Sequence, residues 1–383
     1  MQSSSVAGSG TAVPDAHRDL GVRLTSVGAS RGHTAGLRRG TAYSSADQTN
    51  AIPGDTAMNR RQMMKAFPAL AAGATAVAHA MRAEAQAVTP QTPKAPPAYK
   101  GRLRPGVIAL SYRPQLESKE MTYEDIVRVI ADLGLEGLEM TGYWLPPMLN
   151  FPPGTPSTQI SEMVRKTPAN PTAQRLASLR NTAFKNGIDI YGVGSPVKMA
   201  QPTPELRQKE IAFGKKWIDI ADAVGASSVR VFGGGIAQGV TETQAVEWAV
   251  EVYKPILDYA AAKGIVLGLE DDDDLTRTSA QLLTIVNQVN HPAARIALDC
   301  GNFRKDGYKE CEICAPYASS THVKPQMSTP DGQREPADWA KLFGILANAG
   351  YRGYVSLELS TPDNPVPKYA AELIRCARMY SGA

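Results

Sequence analysis

The chain has 383 residues, 20% of them charged, and its 41 Lys and Arg exceed its 37 Asp and Glu by four. Nine of the basic residues but only five of the acidic ones lie in residues 1–87, so residues 88–383 carry no net charge. A neutral domain argues against a nucleic-acid partner, which requires a basic surface, and four cysteines are too few for a disulfide framework.

Residues 1–57 contain nothing from which a core could be built. They are rich in Ser, Gly, Thr and Ala and show no apolar periodicity. This composition is typical of a disordered segment. Because Met58 is an alternative start, these residues could equally be an upstream extension of the reading frame.

Residues 58–87 have the order of an export signal. Arg60 and Arg61 precede a weakly apolar run, and an Ala-x-Ala stop follows it. The pattern resembles the twin-arginine type, so we expect the twin-arginine export machinery as a partner, cleavage near Ala85 or Ala87, and a periplasmic protein. The apolar run is too short and too rich in Ala and Gly for a stable membrane anchor.

After a Pro-rich linker over residues 88–105, apolar strand patterns alternate with amphipathic helix patterns to the end of the chain. The predicted strands are VIALSY (107–112), LEGLEMTG, IDIYGVGS, SVRVFGGG, GIVLGLE, RIALDCGN, THVKP and YVSLELS. The predicted helices are TYEDIVRVIADLG with a threonine cap, 172–187, 205–224, 242–263, Ser279–Val289, a short stretch before THVKP, ADWAKLFGILANAG and 366–380. Eight strands alternating with eight helices predict that residues 106–383 form a closed (β/α)8 TIM barrel.

The connection from Tyr143 to Pro171 is unusually long and contains Trp144 and Phe151. A loop of this length at the active rim is typical of a lid or a substrate wall, and the alternative is a surface insertion.

Cys311 and Cys314 form a C-x-x-C without a redox or zinc context, and we interpret them as helix residues, with a local disulfide left open.

Four predicted strands end on side chains that can bind a metal. Glu270, Asp299, His322 and Glu358 follow one another at intervals of 29, 23 and 36 residues, each suited to one strand, one loop and one helix. A single acid at a strand end is usually a salt-bridge or capping partner. Three carboxylates and an imidazole at one rim would be unfavourable without a cation, because crowded carboxylates raise one another's pKa. The set therefore predicts a divalent-metal site.

These motifs, GLED, LDCGN, THVKP and SLELS, resemble those of the xylose-isomerase-like TIM barrels over residues 105–380. That family contains sugar isomerases, ketose 3-epimerases, inosose dehydratases and an apurinic endonuclease. The resemblance implies that the four residues bind one divalent ion, manganese, magnesium or cobalt, with zinc as an alternative. It also implies that Glu270 and Glu358 act as the catalytic acid/base pair.

The chain departs from the epimerase pattern at positions that hold substrate hydroxyls. Asn302 stands where those epimerases have a histidine, and Thr276 stands where they have a glutamate. Some relatives have an Asn-His pair where this chain has Asp271 and Asp272. The candidate substrate contacts are Asp272, Asn302, Lys324, Arg230, Glu139 and Trp144.

The first functional hypothesis is a metal-dependent sugar isomerase or epimerase that acts on a small-molecule sugar or sugar derivative. The alternatives are a lyase or dehydratase on keto sugars, inositols or 3-keto-glycosides, and a non-catalytic sugar-binding barrel. The histidine count argues against the nuclease, whose multi-metal site uses several histidines, because only His291 and His322 follow the signal. The sequence leaves a homo-oligomer open.

Overall fold

The computed structural model describes residues 102–145, 152, 155–166, 170–359 and 365–380. Within this part of the chain, eight parallel strands close into a barrel in the order β1-β10-β7-β6-β5-β4-β3-β2. The strands are β1 Arg104–Ile108, β2 Gly137–Thr141, β3 Asp189–Lys198, β4 Ser228–Phe232, β5 Val266–Glu270, β6 Ala294–Asp299, β7 Ala318–Val323 and β10 Tyr354–Leu357, with β8 Gln326–Ser328 and β9 Arg334–Pro336 forming a separate hairpin. The predicted (β/α)8 TIM barrel is confirmed.

Helices connect the strands and surround the barrel. Those in the described residues are α1 Arg113–Ser118, α2 Tyr123–Asp132, α3 Ser157–Lys166, α4 Ala173–Lys185, α5 Pro204–Val224, α6 Glu242–Ala261, α7 Ser279–Val289, α8 Gly307–Cys314, α9 Trp339–Asn348 and α10 Val366–Met379. Thr122 caps α2 as predicted, since its side chain accepts from Asp125 N while the Asp125 carboxylate accepts from Thr122 N. None of the described helices combines the length and apolar character needed to cross a membrane.

The core lies inside the barrel and between the barrel and its helices. Each strand is covered on both faces because it packs inward on the barrel and outward on a helix, and Val107, Leu138 and Leu267 are fully buried. Tyr253 on α6 donates a hydrogen bond of 2.8 Å to the carbonyl of Leu267, which fixes that helix against β5. Each strand therefore presents its carboxyl end at a defined position on the rim.

Local differences from the sequence prediction have physical causes. The strand predicted over 107–112 ends at Ile108, and Ala109–Tyr112 form a 3-10 turn. Within that turn the Ser111 hydroxyl donates to Leu357 O at 3.1 Å and accepts from Leu359 N at 3.0 Å. The turn thus ties the first strand to the segment that carries Glu358. The linker is shorter than predicted, since Arg104 already belongs to β1.

The long connection after β2 contains helix α3, which the sequence analysis did not predict. Ile160 and Val164 bury their side chains, and Arg165 pairs with buried Glu210 and donates to Pro196 O at 2.9 Å. These contacts fix α3 on the barrel beside β3. Whether the connection closes over a substrate stays a prediction, because residues 146–151, 153–154 and 167–169 lie outside the described residues.

The β8–β9 hairpin was also missed, although Asp331 and Gly332 are a turn signal and Gly332 has a φ of 86°.

Cys311 and Cys314 lie in α8, as interpreted from the sequence, and both thiols are free and buried. The predicted extension 1–57, the export signal 58–87 and the linker up to residue 101 lie outside the described residues.

Candidate metal centre

Four adjacent strands, β5, β6, β7 and β10, bring the four predicted ligands together at the carboxyl end of the barrel. Glu270 and Asp299 end their strands, His322 is the penultimate residue of β7, and Glu358 follows β10. All four are buried, and one ligand atom from each lies within 4.8 Å of the others. The strand register pairs Asp299 with His322, which places these two side by side.

Three buried atoms of the predicted ligands make no hydrogen bond among the described residues, namely Asp299 Oδ2, His322 Nδ1 and Glu358 Oε2. Asp299 Oδ2 lies close to the ammonium of Lys324, whereas His322 Nδ1 and Glu358 Oε2 face each other. His322 Nδ1 lies 3.3 Å from Glu358 Oε2 and 3.7 Å from Glu270 Oε1. Buried polar atoms are nearly always satisfied in proteins, so a nitrogen lone pair and carboxylate oxygens directed at one point fit a bound cation.

A buried guanidinium links this centre to Glu139 on β2. Arg230 Nε lies 2.7 Å from Glu139 Oε1, and Arg230 Nη1 lies 2.5 Å from Glu270 Oε2. The second oxygen of Glu139 lies 2.9 Å from His322 Nε2. Arg230 and Glu139 are 8% and 1% exposed, so both lie beneath the rim.

A second cation, Lys324, contacts two of the predicted ligands that Arg230 does not contact. Its ammonium is 2.6 Å from Asp299 Oδ2 and 3.2 Å from Glu358 Oε1, and it donates to Asn302 Oδ1 at 2.6 Å. Lys324 is only partly buried, with 24% of its side chain exposed. It is therefore a charged group close to both the predicted ligands and the mouth of the barrel.

The charges of these buried groups favour a divalent ion. Glu139 and the three carboxylates of the centre carry four negative charges, which Arg230 and Lys324 reduce to two when His322 is neutral. Asp271 is also buried, and burial, with Asp299 beside it, raises its pKa well above the usual range, which opposes a further negative charge there. One divalent cation would balance the remaining charge.

The pKa shifts of the buried groups reflect the electrostatic effect of these charges on one another. Burial opposes ionisation of Glu139, yet His322 and Arg230 lower its pKa to about 2. Burial raises the pKa of Asp299 to about 6, with Glu358 adding to the shift and Lys324 opposing it. Burial would lower the pKa of His322, but Glu139, Glu270 and Glu358 raise it well above its usual value. The centre thus stabilises positive charge.

The six predicted substrate contacts fall into two groups. Lys324 and Asn302 are partly buried beside the centre, and Asp272 is exposed after β5. Arg230 and Glu139 lie beneath the centre and bond to each other, and Trp144 is 3% exposed and packs in the core. Contact of any of these residues with a substrate stays a prediction.

The sequence analysis missed the Glu139–Arg230 pair. A signal was present, because an arginine within the apolar strand SVRVF must find a buried acid if that strand is covered on both faces. The partner could not be read from the sequence, since Glu139 is 91 residues away and on a strand that does not pair with β4.

The comparisons with known proteins agree with this architecture. The family model described as xylose isomerase-like TIM barrel matches residues 127–380, which is more than half of the chain. A search of curated proteins gave no match.

Several solved structures are similar over most of the chain. A D-psicose 3-epimerase from Clostridium cellulolyticum H10 has a TM-score of 0.56 and 16% identity over 73% of this chain and 100% of its own. A 3-keto-D-glucoside 4-epimerase from E. coli has a TM-score of 0.55 and 14% identity over 72% of this chain and 100% of its own. A probable 3-DHS dehydratase from Bacillus anthracis has a TM-score of 0.52 and 16% identity over 71% of this chain and 99% of its own. At these identities the likeness establishes the fold alone, but together with the family match it confirms the resemblance seen in the sequence. The chain belongs to the xylose isomerase-like TIM barrel family.

Proposed function

We propose that the protein is a divalent-metal-dependent sugar isomerase or epimerase that moves a proton next to a sugar carbonyl. The observation that carries the proposal is the buried cluster of Glu270, Asp299, His322 and Glu358 at the mouth of the barrel. Three carboxylates and one imidazole suit a hard or borderline ion, and we propose manganese, magnesium or cobalt, with zinc as the alternative. When bound, such an ion polarises a carbonyl and acidifies the adjacent C–H.

Glu270 and Glu358 are the proposed acid/base pair. They stand on the outer strands of the four that form the centre, on either side of His322 and Asp299. Each has one oxygen held by a cation, Arg230 for Glu270 and Lys324 for Glu358. The other oxygen of each is directed towards the centre. One carboxylate can therefore remove a proton from a sugar carbon and keep it, while the other, in its protonated form, delivers a different proton to the opposite face of that carbon.

Lys324 and Asn302 are proposed to bind sugar oxygens. The Lys324 ammonium remains charged because Asp299 and Glu358 raise its pKa, although burial would lower it. A positive charge beside the reacting carbon stabilises the negative oxygen that forms when the proton leaves. Asn302 orients this ammonium through its 2.6 Å hydrogen bond.

Solvent hydrogen exchange tests the proposal. The purified protein, loaded with Mn²⁺, is incubated with free ketoses in deuterated buffer, and the sugars are analysed by NMR. We expect deuterium at the carbon next to the carbonyl, and we expect Glu358→Gln to abolish its incorporation. Sugar binding without any deuterium incorporation would instead support the non-catalytic sugar-binding barrel.

The second candidate is a lyase or dehydratase on a keto sugar, an inositol or a 3-keto-glycoside. The ammonium of Lys324, 3.2 Å from Glu358 Oε1, favours it. If a glutamate removes the proton next to the carbonyl, the electron pair of that C–H bond can form a C=C bond as the neighbouring C–O bond breaks. Lys324 can then protonate the departing oxygen. Incubation with 3-keto-glucosides separates the candidates, since elimination releases water or an alcohol and forms an unsaturated ketone, whereas epimerisation releases nothing.

We further propose that the protein is exported to the periplasm through the twin-arginine pathway. The paired arginines Arg60 and Arg61 and the Ala-x-Ala stop support this proposal. N-terminal sequencing of the mature protein should find a start near Gln86 or Val88. A mature chain that still contains Arg60 would contradict it.

A further inference from the structure

Glu139 is a buried acid that contacts the centre without belonging to the four-residue ligand cluster. It is the third residue of β2 and is 1% exposed. Its Oε1 accepts from Arg230 Nε at 2.7 Å, and its Oε2 lies 2.9 Å from His322 Nε2. Both carboxylate oxygens are therefore occupied by protein groups.

The contact with His322 determines where the imidazole proton lies. An imidazole that ligates a metal is neutral and carries one N–H, and an ionised carboxylate can only accept, so the nitrogen facing Glu139 must be the one that is protonated when a metal is bound. The proton then lies on Nε2, and the lone pair of Nδ1 is directed at Glu270 and Glu358. We propose that Glu139 is a positioning residue that fixes the tautomer and the ring orientation of His322 for metal ligation through Nδ1. The inference rests on the proposed function only in requiring a metal ion at the centre.

The neighbouring strand β3 leaves the space that this arrangement needs. A Cβ at Gly194 would lie 2.6 Å from Arg230 Nη2, and a Cβ at Gly192 would lie 3.3 Å from Glu139 Cγ. Because alternate residues of a strand point to the same face, both glycines belong to the face that Glu139 and Arg230 occupy. The two side chains, from β2 and β4, can therefore meet across β3.

Arg230 extends the arrangement to a predicted ligand. Its Nη1 binds Glu270 Oε2 while its Nε holds Glu139, so one rigid guanidinium sets the distance between the positioning acid and the ligand. Residues that orient metal ligands typically change metal affinity about 10–100-fold when they are replaced. Glu139 is expected to fall in this range.

The test compares Glu139→Gln with Glu210→Gln. Glu210 is a matched control, since it is similarly buried and paired with an arginine, Arg165, but it lies outside the centre. Mn²⁺ binding to each purified protein is measured by titration calorimetry. We expect Glu139→Gln to weaken binding about 10–100-fold and Glu210→Gln to leave it within about twofold of the parent.

A spectroscopic measurement on the parent protein covers the case in which Glu139→Gln does not fold. The chain has five histidines, so nitrogen NMR of isotope-labelled histidine in the Mg²⁺-loaded protein gives few signals. We expect the signal of His322, assigned by its loss in His322→Gln, to report protonation at Nε2. Protonation at Nδ1 would overturn the inference.

The outcomes separate this inference from the proposed function. Unchanged Mn²⁺ affinity in Glu139→Gln overturns the positioning role alone. Metal binding by the parent without deuterium exchange or elimination overturns the proposed reaction and leaves the positioning role intact. A parent protein that binds no divalent ion overturns both.

Discussion

Replacing Arg230 by methionine tests whether one guanidinium neutralises two buried carboxylates. The substitution keeps an unbranched apolar chain but removes the guanidinium that contacts both Glu139 and Glu270. Breaking a buried ion pair by removing one partner costs about 3–5 kcal/mol, because an uncompensated charge remains in the interior. Since about 1 kcal/mol corresponds to about 2 °C in a domain of this size, the melting temperature should fall by about 6–10 °C.

Calorimetry or circular dichroism of the metal-free protein measures this effect, with Arg165→Met as the control. Arg165 pairs with one carboxylate only, and that carboxylate, Glu210, keeps a 3.0 Å hydrogen bond from Lys198 N, so the control should lose clearly less stability. Adding Glu139→Gln to Arg230→Met should restore part of the loss, since it removes one of the two stranded charges. The reasoning would be refuted if Arg230→Met lost no more stability than Arg165→Met.

Three further results are expected. Burial raises the pKa of Asp299 to about 6, and the neighbouring carboxylates raise the pKa of His322, so both ligands must lose a proton before they bind a metal. Mn²⁺ affinity measured by calorimetry should therefore fall at least about tenfold per pH unit below 6; equal affinity at pH 5 and 7 would contradict this. Glu358→Gln should lower the rate of deuterium exchange or elimination at least about 100-fold, because it removes a proposed proton-transfer group. NMR at saturating metal measures this rate, and a rate close to that of the parent would exclude the acid/base role. Gly142→Ala should destabilise the barrel by about 1–3 kcal/mol in urea unfolding, because its Cβ would lie 2.1 Å from the buried ring of Trp217. Gly235→Ala should be nearly neutral, because its Cβ would have no neighbour closer than 3.9 Å. Equal effects of the two substitutions would show that the Trp217 ring moves to accommodate the added methyl group.

The barrel could be predicted from the sequence because its strands are covered on both faces. Segments such as GIVLGLE are apolar up to their last residue, Glu270, and are separated by helix patterns. The helix predicted over Ser279–Val289 has those same bounds in the structure. Where a predicted strand differs from the structure, a hydrogen bond to another strand is the cause. VIALSY is apolar enough for a strand, yet Ser111 bonds to the last strand and turns the chain after Ile108.

The centre was predicted in the same way, because parallel strands end at one rim. Ionisable residues at four neighbouring strand ends come together at this rim regardless of the lengths of the loops between the strands. Glu270, Asp299, His322 and Glu358 do lie together. The contact between Glu139 and Arg230, which lies beneath these four residues, could not be predicted. Glu139 reaches Arg230 across β3, and this contact depends on the curvature of the barrel and on two glycines of the strand between them.

The account rests on a single divalent ion at the mouth of the barrel. Anomalous diffraction from crystals of the Mn²⁺-loaded protein locates that ion directly. We predict one strong peak within about 2.3 Å of carboxylate oxygens of Glu270, Asp299 and Glu358 and of Nδ1 of His322. A peak elsewhere on the protein, or four side chains in place with no peak between them, would contradict the account.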